Sequence, residues 1–252
     1  LDMELYISKD KVSAMFARGC PFKCTFCASP SVHGHELRDK TNPRILQELN
    51  HLIEHYRIDR QKVGVNRNHI MIQDDLIAAR KTKFIELAKD LKKLKLKYGL
   101  PNALCVDVFD EKLIDTVSDL GIDYFQFAIE SGSEYTQKHL INKGVPLEKA
   151  KRLVKYTKSK DQIVFVSLIL GVPNETKELM EESINYYRDL DVDWVYIFTA
   201  LPLPGTKMFQ QFVANDVMDE ASFDWDGVRH GKRTFDTEEI TAEELEILTY
   251  DT

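Results

Sequence analysis

Residues 162–170 read QIVFVSLIL, and the run is closed by Gly171-Val172-Pro173. Apart from Gln162 and Ser167 every position is apolar, and most of the apolar ones are β-branched. A strand of that composition is covered on both faces, which is the situation of a parallel sheet packed between helices. It sets the expectation of an α/β chain.

The flanking sequence keeps the same rhythm. KVSAMFA (11–17), NHIMIQ (68–73), ALCVDVF (103–109), DYFQFAI (123–129) and DWVYIFT (193–199) read as the other strands. Thr41-Asn42-Pro43 opens a helix whose apolar residues Ile45, Leu49, Leu52, Ile53 and Tyr56 recur at helical spacing. Phe84, Leu87, Ala88, Leu91 and Leu94 share one face of the next, which is expected to end at Gly99-Leu100-Pro101. Asp110 caps a third that stops at Gly121, a short helix is expected near 133–141, Pro146 begins a longer one, and Thr176–Leu190 is the fifth helical layer. Six strand-then-helix units predict parallel strands curled into a barrel or doubly wound, with ligands at the C-terminal strand ends. Residues 216–252 break the rhythm and are expected to form an irregular, partly helical extension, with Thr241 and Glu244 placed as a capping box. Leu1 in place of Met, and a last helix with few residues left to it, suggest one domain of a longer protein.

Net charge is -7. That disfavours sequence-independent attraction to nucleic acid, which needs an excess of Lys and Arg. No apolar run approaches bilayer-spanning length. Of four cysteines, Cys20, Cys24 and Cys27 crowd into the stretch ARGCPFKCTFCASP (17–30) and only Cys105 lies elsewhere. Neighbours at this spacing close trivial loops, so no disulfide framework is expected and the reading is a reducing, cytoplasmic setting.

The cysteine stretch follows the first strand immediately, at the ligand-bearing end. Buried structural cysteines scatter, and these do not. Two metal centres suit the spacing: a zinc completed by His33 or His35 as a Cys3His set, or an iron-sulfur cubane with one iron left without a protein ligand. The residues by themselves leave both open. Cys105, mid-strand among apolar neighbours, reads as core packing.

CPFKCTFC at the end of a first barrel strand resembles the cluster motif of the radical S-adenosylmethionine (SAM) enzymes. The likeness extends through IQDDL after strand two, AIESGSE after strand four, INKG beyond it, LILGVPNET through strand five and LPLPGT after strand six. Together these are similar to the core domain of the cobalamin-binding and methylthiotransferase-like branches. The resemblance implies a partial (β/α)6 TIM-like barrel over residues 1–215. It implies that Cys20, Cys24 and Cys27 hold a [4Fe-4S] cluster whose open iron binds SAM, and that SAM is cleaved reductively to a 5'-deoxyadenosyl radical.

Further positions follow from the same likeness. Phe26 matches the residue beside the adenine, Ser167 and Ile169 the adenine and ribose contacts, and the Thr199 to Leu201 segment the backbone contact of strand six. Glu130 and Ser131 match the family's pair near ribose and methionine, and Lys143 is placed to meet the SAM carboxylate. Gln73, Asp74 and Asp75 stand where the family commonly has a Gly-Gly-Glu run for the SAM amino group. This Asp-Asp departure is the one the cobalamin-binding branch tends to carry. A second cluster would need more cysteines, so sulfur insertion by this chain is disfavoured. Cobalamin-dependent methyl transfer, with cobalamin on a domain outside this chain, is the expected outcome. The alternatives are a radical SAM modification without cobalamin and a non-catalytic zinc- or cluster-binding barrel. The implied partners are a small-molecule or peptide substrate and an electron donor such as flavodoxin or ferredoxin. Trp225, Arg229, His230 and Arg233 could line the substrate pocket or face water.

Overall fold

The structure is a computed structural model that describes residues 12–56, 69–122, 124–218 and 235–250. Trp225, Arg229, His230 and Arg233 lie outside the described residues, as do Lys11, Asn68 and Asp123 of the expected strands. The chain is α/β with parallel strands. β1 (Val12–Ala14), β4 (Ile70–Ile72) and β5 (Tyr98–Gly99) form one parallel sheet in the order β1-β4-β5. β6 (Leu104–Cys105), β7 (Tyr124–Glu130), β8 (Ile163–Leu170) and β9 (Trp194–Thr199) form a second in sequence order, again parallel. The two sheets in succession are the wall of a partial barrel, with no closed ring among the described residues.

Three expectations are corrected. The first strand is divided: after β1 the backbone turns, and β2 (Ala17–Arg18) leaves to pair antiparallel with β3 (Arg38–Asp39). The second helix, α3 (Lys81–Lys93), ends before Leu94, so Tyr98–Gly99 is free to add to β4 rather than terminate a helix. The third strand is only Leu104–Cys105, because the N–H groups of Val108 and Phe109 fold back on the Cys105 carbonyl at 3.1 Å each.

Three helices begin where the sequence predicts, at Thr41, Asp110 and Thr176, and a fourth begins at Thr206. Thr41 opens α2 (Asn42–His55), Asp110 opens α4 (Glu111–Ser118), Thr176 opens α6 (Lys177–Arg188) and Thr206 opens α7 (Lys207–Ala214), each side chain accepting a first-turn N–H. Pro146 precedes α5 (Leu147–Lys158). The Thr241–Glu244 box is formed at α8 (Ala242–Tyr250), with Thr241 N–H donating to Glu244 at 2.9 Å and Glu244 N–H to Thr241 Oγ1 at 3.1 Å. A short α1 (Ser29–His33) follows the cysteine loop, and residues 136–140 form one π-helical turn.

Alternation on β8 explains its composition. Val164, Val166, Leu168 and Leu170 are fully buried, as are Phe125, Phe127 and Ile129 on β7, and all join the core that includes α5 and α6. The opposite face, carrying Phe165, Ser167 and Ile169, turns toward the barrel interior. A smaller apolar cluster of Leu140, Ile141, Val172, Ala200, Met208 and Phe212 sits at the C-terminal strand ends, with Phe26 and Ile169 packed on it. Removing the Leu168 side chain beyond Cβ (Leu168→Ala) is expected to lower unfolding free energy by about 3 kcal/mol through lost burial and a residual void. Asp110→Ala removes only a cap, at about 1 kcal/mol. Urea denaturation of the two variants should separate them in that order.

Candidate functional site

The cysteine loop is tied down from three sides. Thr25, between Cys24 and Phe26, is buried; its N–H donates to Ile141 O at 2.9 Å, its hydroxyl to Leu140 O at 3.1 Å, and its carbonyl accepts from Met208 N at 2.9 Å. Asn142 reaches back to Lys23 O at 2.9 Å. At the loop's start Gly19 has φ +93°, and a Cβ there would lie 2.2 Å from Glu36 O, so only glycine fits.

Asp74 and Asp75, expected near SAM, are used by the protein backbone at the loop's entrance. Asp74 accepts from Phe16 N at 2.6 Å, and Asp75 accepts from Gly19 N at 2.9 Å and meets His33 Nδ1 at 2.7 Å. Burial pushes the Asp74 carboxyl up to about 6 against the N–H groups of Phe16 and Ala17. Gln73 donates to Ser13 Oγ at 3.3 Å. His35 Nδ1 faces the Cys20 carbonyl at 3.3 Å. As the side chains stand, no three His, Cys, Asp or Glu groups among the described residues form a ligand set, so neither a Cys3His site nor a three-thiol site is already closed.

The three thiols are half-buried and close enough to feel one another electrostatically. Burial pushes Cys24 up to about 12, with Lys143 opposing and Cys27 and Cys20 reinforcing the shift. Burial also raises Cys20, the Phe22 N–H opposes it, and Cys27, Cys105 and Asp75 add to it. Cys20 and Cys24 are therefore neutral thiols until a metal or another cation draws the protons off. Three soft donors on one short loop, with a cation beside them, fit an iron-sulfur cluster bound by three cysteines.

That cation is Lys143. Its ammonium lies 2.9 Å from Glu130 Oε1, with both side chains about 10% exposed, and 5.6 Å from the Phe26 ring centroid. Burial works to lower the Lys143 ammonium, and the pull of Glu130 and of Cys24 outweighs it, holding the group above its ordinary value. Lys143 is thus a paired internal charge rather than an exposed lysine.

Glu130 reaches this position through a distortion. The β7–β8 register shifts between Ala128 and Glu130, and Glu130 has φ +72°, a left-handed conformation that costs a non-glycine residue free energy. Gln137 holds the distortion in place. Its side-chain amide donates to Ile129 O at 2.6 Å and Ser131 O at 2.7 Å while its own oxygen accepts from Val145 N at 3.2 Å. Ser131, expected near the ribose, turns its hydroxyl instead to Ser183 Oγ at 2.9 Å and Ser133 N at 3.1 Å.

Beside the cysteine loop lies a cavity of about 290 Å³. It brings together Phe26, Glu130, Ser167, Ile169, Thr199 and Leu201, six of the expected SAM contacts, drawn from the loop and from strands β7, β8 and β9. Ser167 Oγ, on the inward face of β8, is buried there without a hydrogen-bond partner in the structure, whereas the equally unpartnered Thr199 Oγ1 belongs to the face of β9 that pairs with Leu170. An unpaired buried hydroxyl is costly, and that of Ser167 beside the cavity marks a place for a polar group of a ligand. Cys105 is half-buried and registers with Ala128, the same face as Ser167, so it looks toward the barrel interior rather than into the core.

Glu175, which the sequence did not single out, fixes the turn below the cavity. It is 1% exposed and accepts from Gly171 N at 2.8 Å, Val172 N at 3.2 Å and Thr136 Oγ1 at 3.3 Å.

A partial parallel α/β barrel whose first strand leads into three cysteines on one short loop, beside a cavity walled mostly by apolar side chains, is the architecture of a class of cluster-dependent enzymes. The sequence matches the Radical SAM superfamily over residues 15–187, and the chain belongs to that family. The family uses a [4Fe-4S] cluster and SAM. An uncharacterized methyltransferase of Pyrococcus horikoshii is 30% identical over 81% of this chain and 42% of its own length. The cytidylyl-2-hydroxyethylphosphonate methyltransferase of Streptomyces wedmorensis is 29% identical over 81% of this chain and 38% of its own. The radical SAM methyltransferase TsrM of Kitasatospora setae, solved with cobalamin and a [4Fe-4S] cluster bound, shares the fold at TM-score 0.64 and 17% identity, over 78% of this chain and 38% of TsrM. The chain therefore spans well under half the length of these relatives. Among the described residues no helix is long and apolar enough to cross a membrane.

The buried Glu175 makes stability pH-dependent. Burial raises its carboxyl to about 7 from an ordinary value of 4.5, against the N–H groups it accepts from. The folded state then binds the proton more tightly than the unfolded one, so this contribution is complete below about pH 4.5 and is lost as pH rises through about 7. Unfolding free energy measured across that window should fall with pH in the native sequence and fall less in Glu175→Gln.

Proposed function

We propose that this chain is the radical-generating core of a SAM-dependent methyltransferase. Cys20, Cys24 and Cys27 would hold the cluster, and the cavity lined by Phe26, Ser167, Ile169, Thr199 and Leu201 would hold SAM. Bound together, cluster and SAM supply reductive cleavage of a sulfonium C–S bond and a 5'-deoxyadenosyl radical.

The chain's own residues account for binding and shielding. The Phe26 ring and Ile169 would give the nucleoside an apolar wall, the hydroxyl of Ser167 would offer it a hydrogen bond, and the Thr199 to Leu201 segment would offer its backbone. Lys143 and Glu130 carry opposite charges at the thiol side of the cavity, which suits the carboxylate and ammonium of an amino-acid ligand. Phe26, packed against the cluster of Met208, Val172 and Ile141, keeps bulk water from the thiol side.

The observation that carries this reading is the cavity itself, which brings Phe26 of the cysteine loop together with Glu130, Ile169 and the unpartnered hydroxyl of Ser167. Methyl transfer is favoured by the two methyltransferase relatives, and cobalamin by the ligand bound in TsrM. The cobalamin would sit on a part of the protein outside this chain, and a low-potential flavodoxin or ferredoxin would supply electrons.

Anaerobic reconstitution with iron and sulfide should give a brown protein with close to four irons per chain on the [4Fe-4S] stoichiometry, and dithionite should release 5'-deoxyadenosine from SAM. Cys24→Ala should lose the chromophore. Ser167→Ala should keep it and weaken SAM binding by roughly tenfold, the loss of one buried hydrogen bond. A colourless protein retaining one zinc would exclude the cluster reading.

A further inference from the structure

Among the described residues strand β9 is the last of its sheet, and its two faces differ. Val195 and Ile197 pack into the core with α8 against the outside. The inner face presents Trp194, Tyr196 and Phe198, which register with Phe165, Ser167 and Ile169 of β8. Ile163 and Tyr124, paired with one another, extend the same face across β8 and β7. The result is one apolar surface on the barrel side of three strands.

Its rings touch in sequence. Tyr124 and Phe165 have centroids 5.0 Å apart, Phe165 and Tyr196 5.7 Å edge-on, Tyr196 and Trp194 6.4 Å, and Tyr196 and Phe198 6.3 Å with planes 19° apart. The lower end is open to solvent, with Trp194 59%, Ile163 47% and Tyr196 38% exposed. The upper end enters the cavity, because Phe198 and Ile169 line it next to the unpartnered hydroxyl of Ser167. Large apolar side chains exposed together and running into a mostly apolar cavity that holds a few polar groups mark a binding surface rather than chance exposure.

We propose that this inner face of β8 and β9 binds the substrate, and that the substrate carries a planar aromatic ring system, uncharged where it lies on Tyr196 and Trp194. The chemistry of the surface selects that class. Faces and edges of five neighbouring rings favour stacking partners over aliphatic chains, which gain area but no ring geometry. The alternating positions facing inward on these strands, Tyr124, Gln126, Ile163, Phe165, Ser167, Trp194, Tyr196 and Phe198, include no ionised side chain. A charged group on the ligand would have its counter-charge only at the rim, where Glu130 and Lys143 already pair. The ring track leads a bound molecule up to the cavity, which places one edge of it near the SAM position. Calling the molecule a substrate rests on the radical SAM reading above, whereas its binding to the rings does not.

The test therefore uses the full protein without cluster or SAM. The chain has two tryptophans, Trp194 and Trp225, so a Trp225→Phe background leaves Trp194 as the reporter. Quinoline, kept neutral at mildly alkaline pH, is the aromatic probe and cyclohexanol the aliphatic one. The expected result is saturable quenching of Trp194 by quinoline, none by cyclohexanol, and binding weakened about fivefold to tenfold in Tyr196→Ala. Tyr196→Phe keeps the ring and should keep the affinity, which separates loss of stacking from loss of fold. Unsaturable quenching, equal binding of cyclohexanol, or unchanged affinity in Tyr196→Ala with its thermal transition intact would overturn the proposal. So would a Trp194 emission already shielded from acrylamide, since another part of the protein would then cover the rings. None of these outcomes touches the cluster or 5'-deoxyadenosine measurements, so the two readings fail separately.

Discussion

The side-chain amide of Gln137 is the contact on which the site depends. A parallel strand running straight would alternate its last residues between core and barrel, and Glu130 would not meet Lys143 beside the thiols. The irregularity after Ala128 and the positive φ of Glu130 re-aim the carboxylate, at a cost that the surrounding contacts must offset. Gln137 satisfies the two carbonyls on either side of the distortion and ties Val145 to the same point. The π-helical turn that carries Gln137 also carries Leu140, whose carbonyl receives the Thr25 hydroxyl of the cysteine loop. One buried amide thus links the end of β7 to the loop that bears the sulfurs.

Much of the fold is legible in the sequence because two periodicities rarely conflict here. The apolar runs of β7 and β8 and the caps at Thr41 and Asp110 are local signals that the tertiary structure reinforces, although β8 is fully covered on one face only. The misreadings lie where a backbone hydrogen bond overrides composition. ALCVDVF is as apolar as a strand should be, yet the turn closed on the Cys105 carbonyl ends it after two residues. KVSAMFA carries no Pro or Gly to announce the departure of β2, since the divergence is set by Asp74 accepting from Phe16 N.

The site shows the same division. Residues that line the cavity, such as Ser167, Ile169 and Thr199, were legible from motif and strand position together. Asp74, Asp75 and Ser131 share those motifs but spend their oxygens on backbone N–H groups or on a neighbouring hydroxyl. A carboxylate at a strand end looks the same in sequence whether it faces a ligand or a loop. Gln137 and Glu175 escaped notice for a related reason. Gln137 sits in a helical stretch where glutamine is ordinary, and Glu175 precedes a helix cap where glutamate is commonplace. Only their burial, 2% and 1% exposed, reveals that they hold backbone together.

An open barrel gives the two faces of its edge strand different fates. Among the described residues β9 has no further strand beside it, and α8 packs on the outer side through Val195 and Ile197 while Trp194 and Tyr196 on the inner side stay exposed. Had another strand closed the ring, Trp194 and Tyr196 would be packing residues of a filled interior, as in a complete barrel. Leaving the ring open exposes them, and their continuity with Phe198 joins the lateral opening to the cavity at the strand ends. That opening is the route by which the aromatic molecule proposed above would reach the cavity at the strand ends.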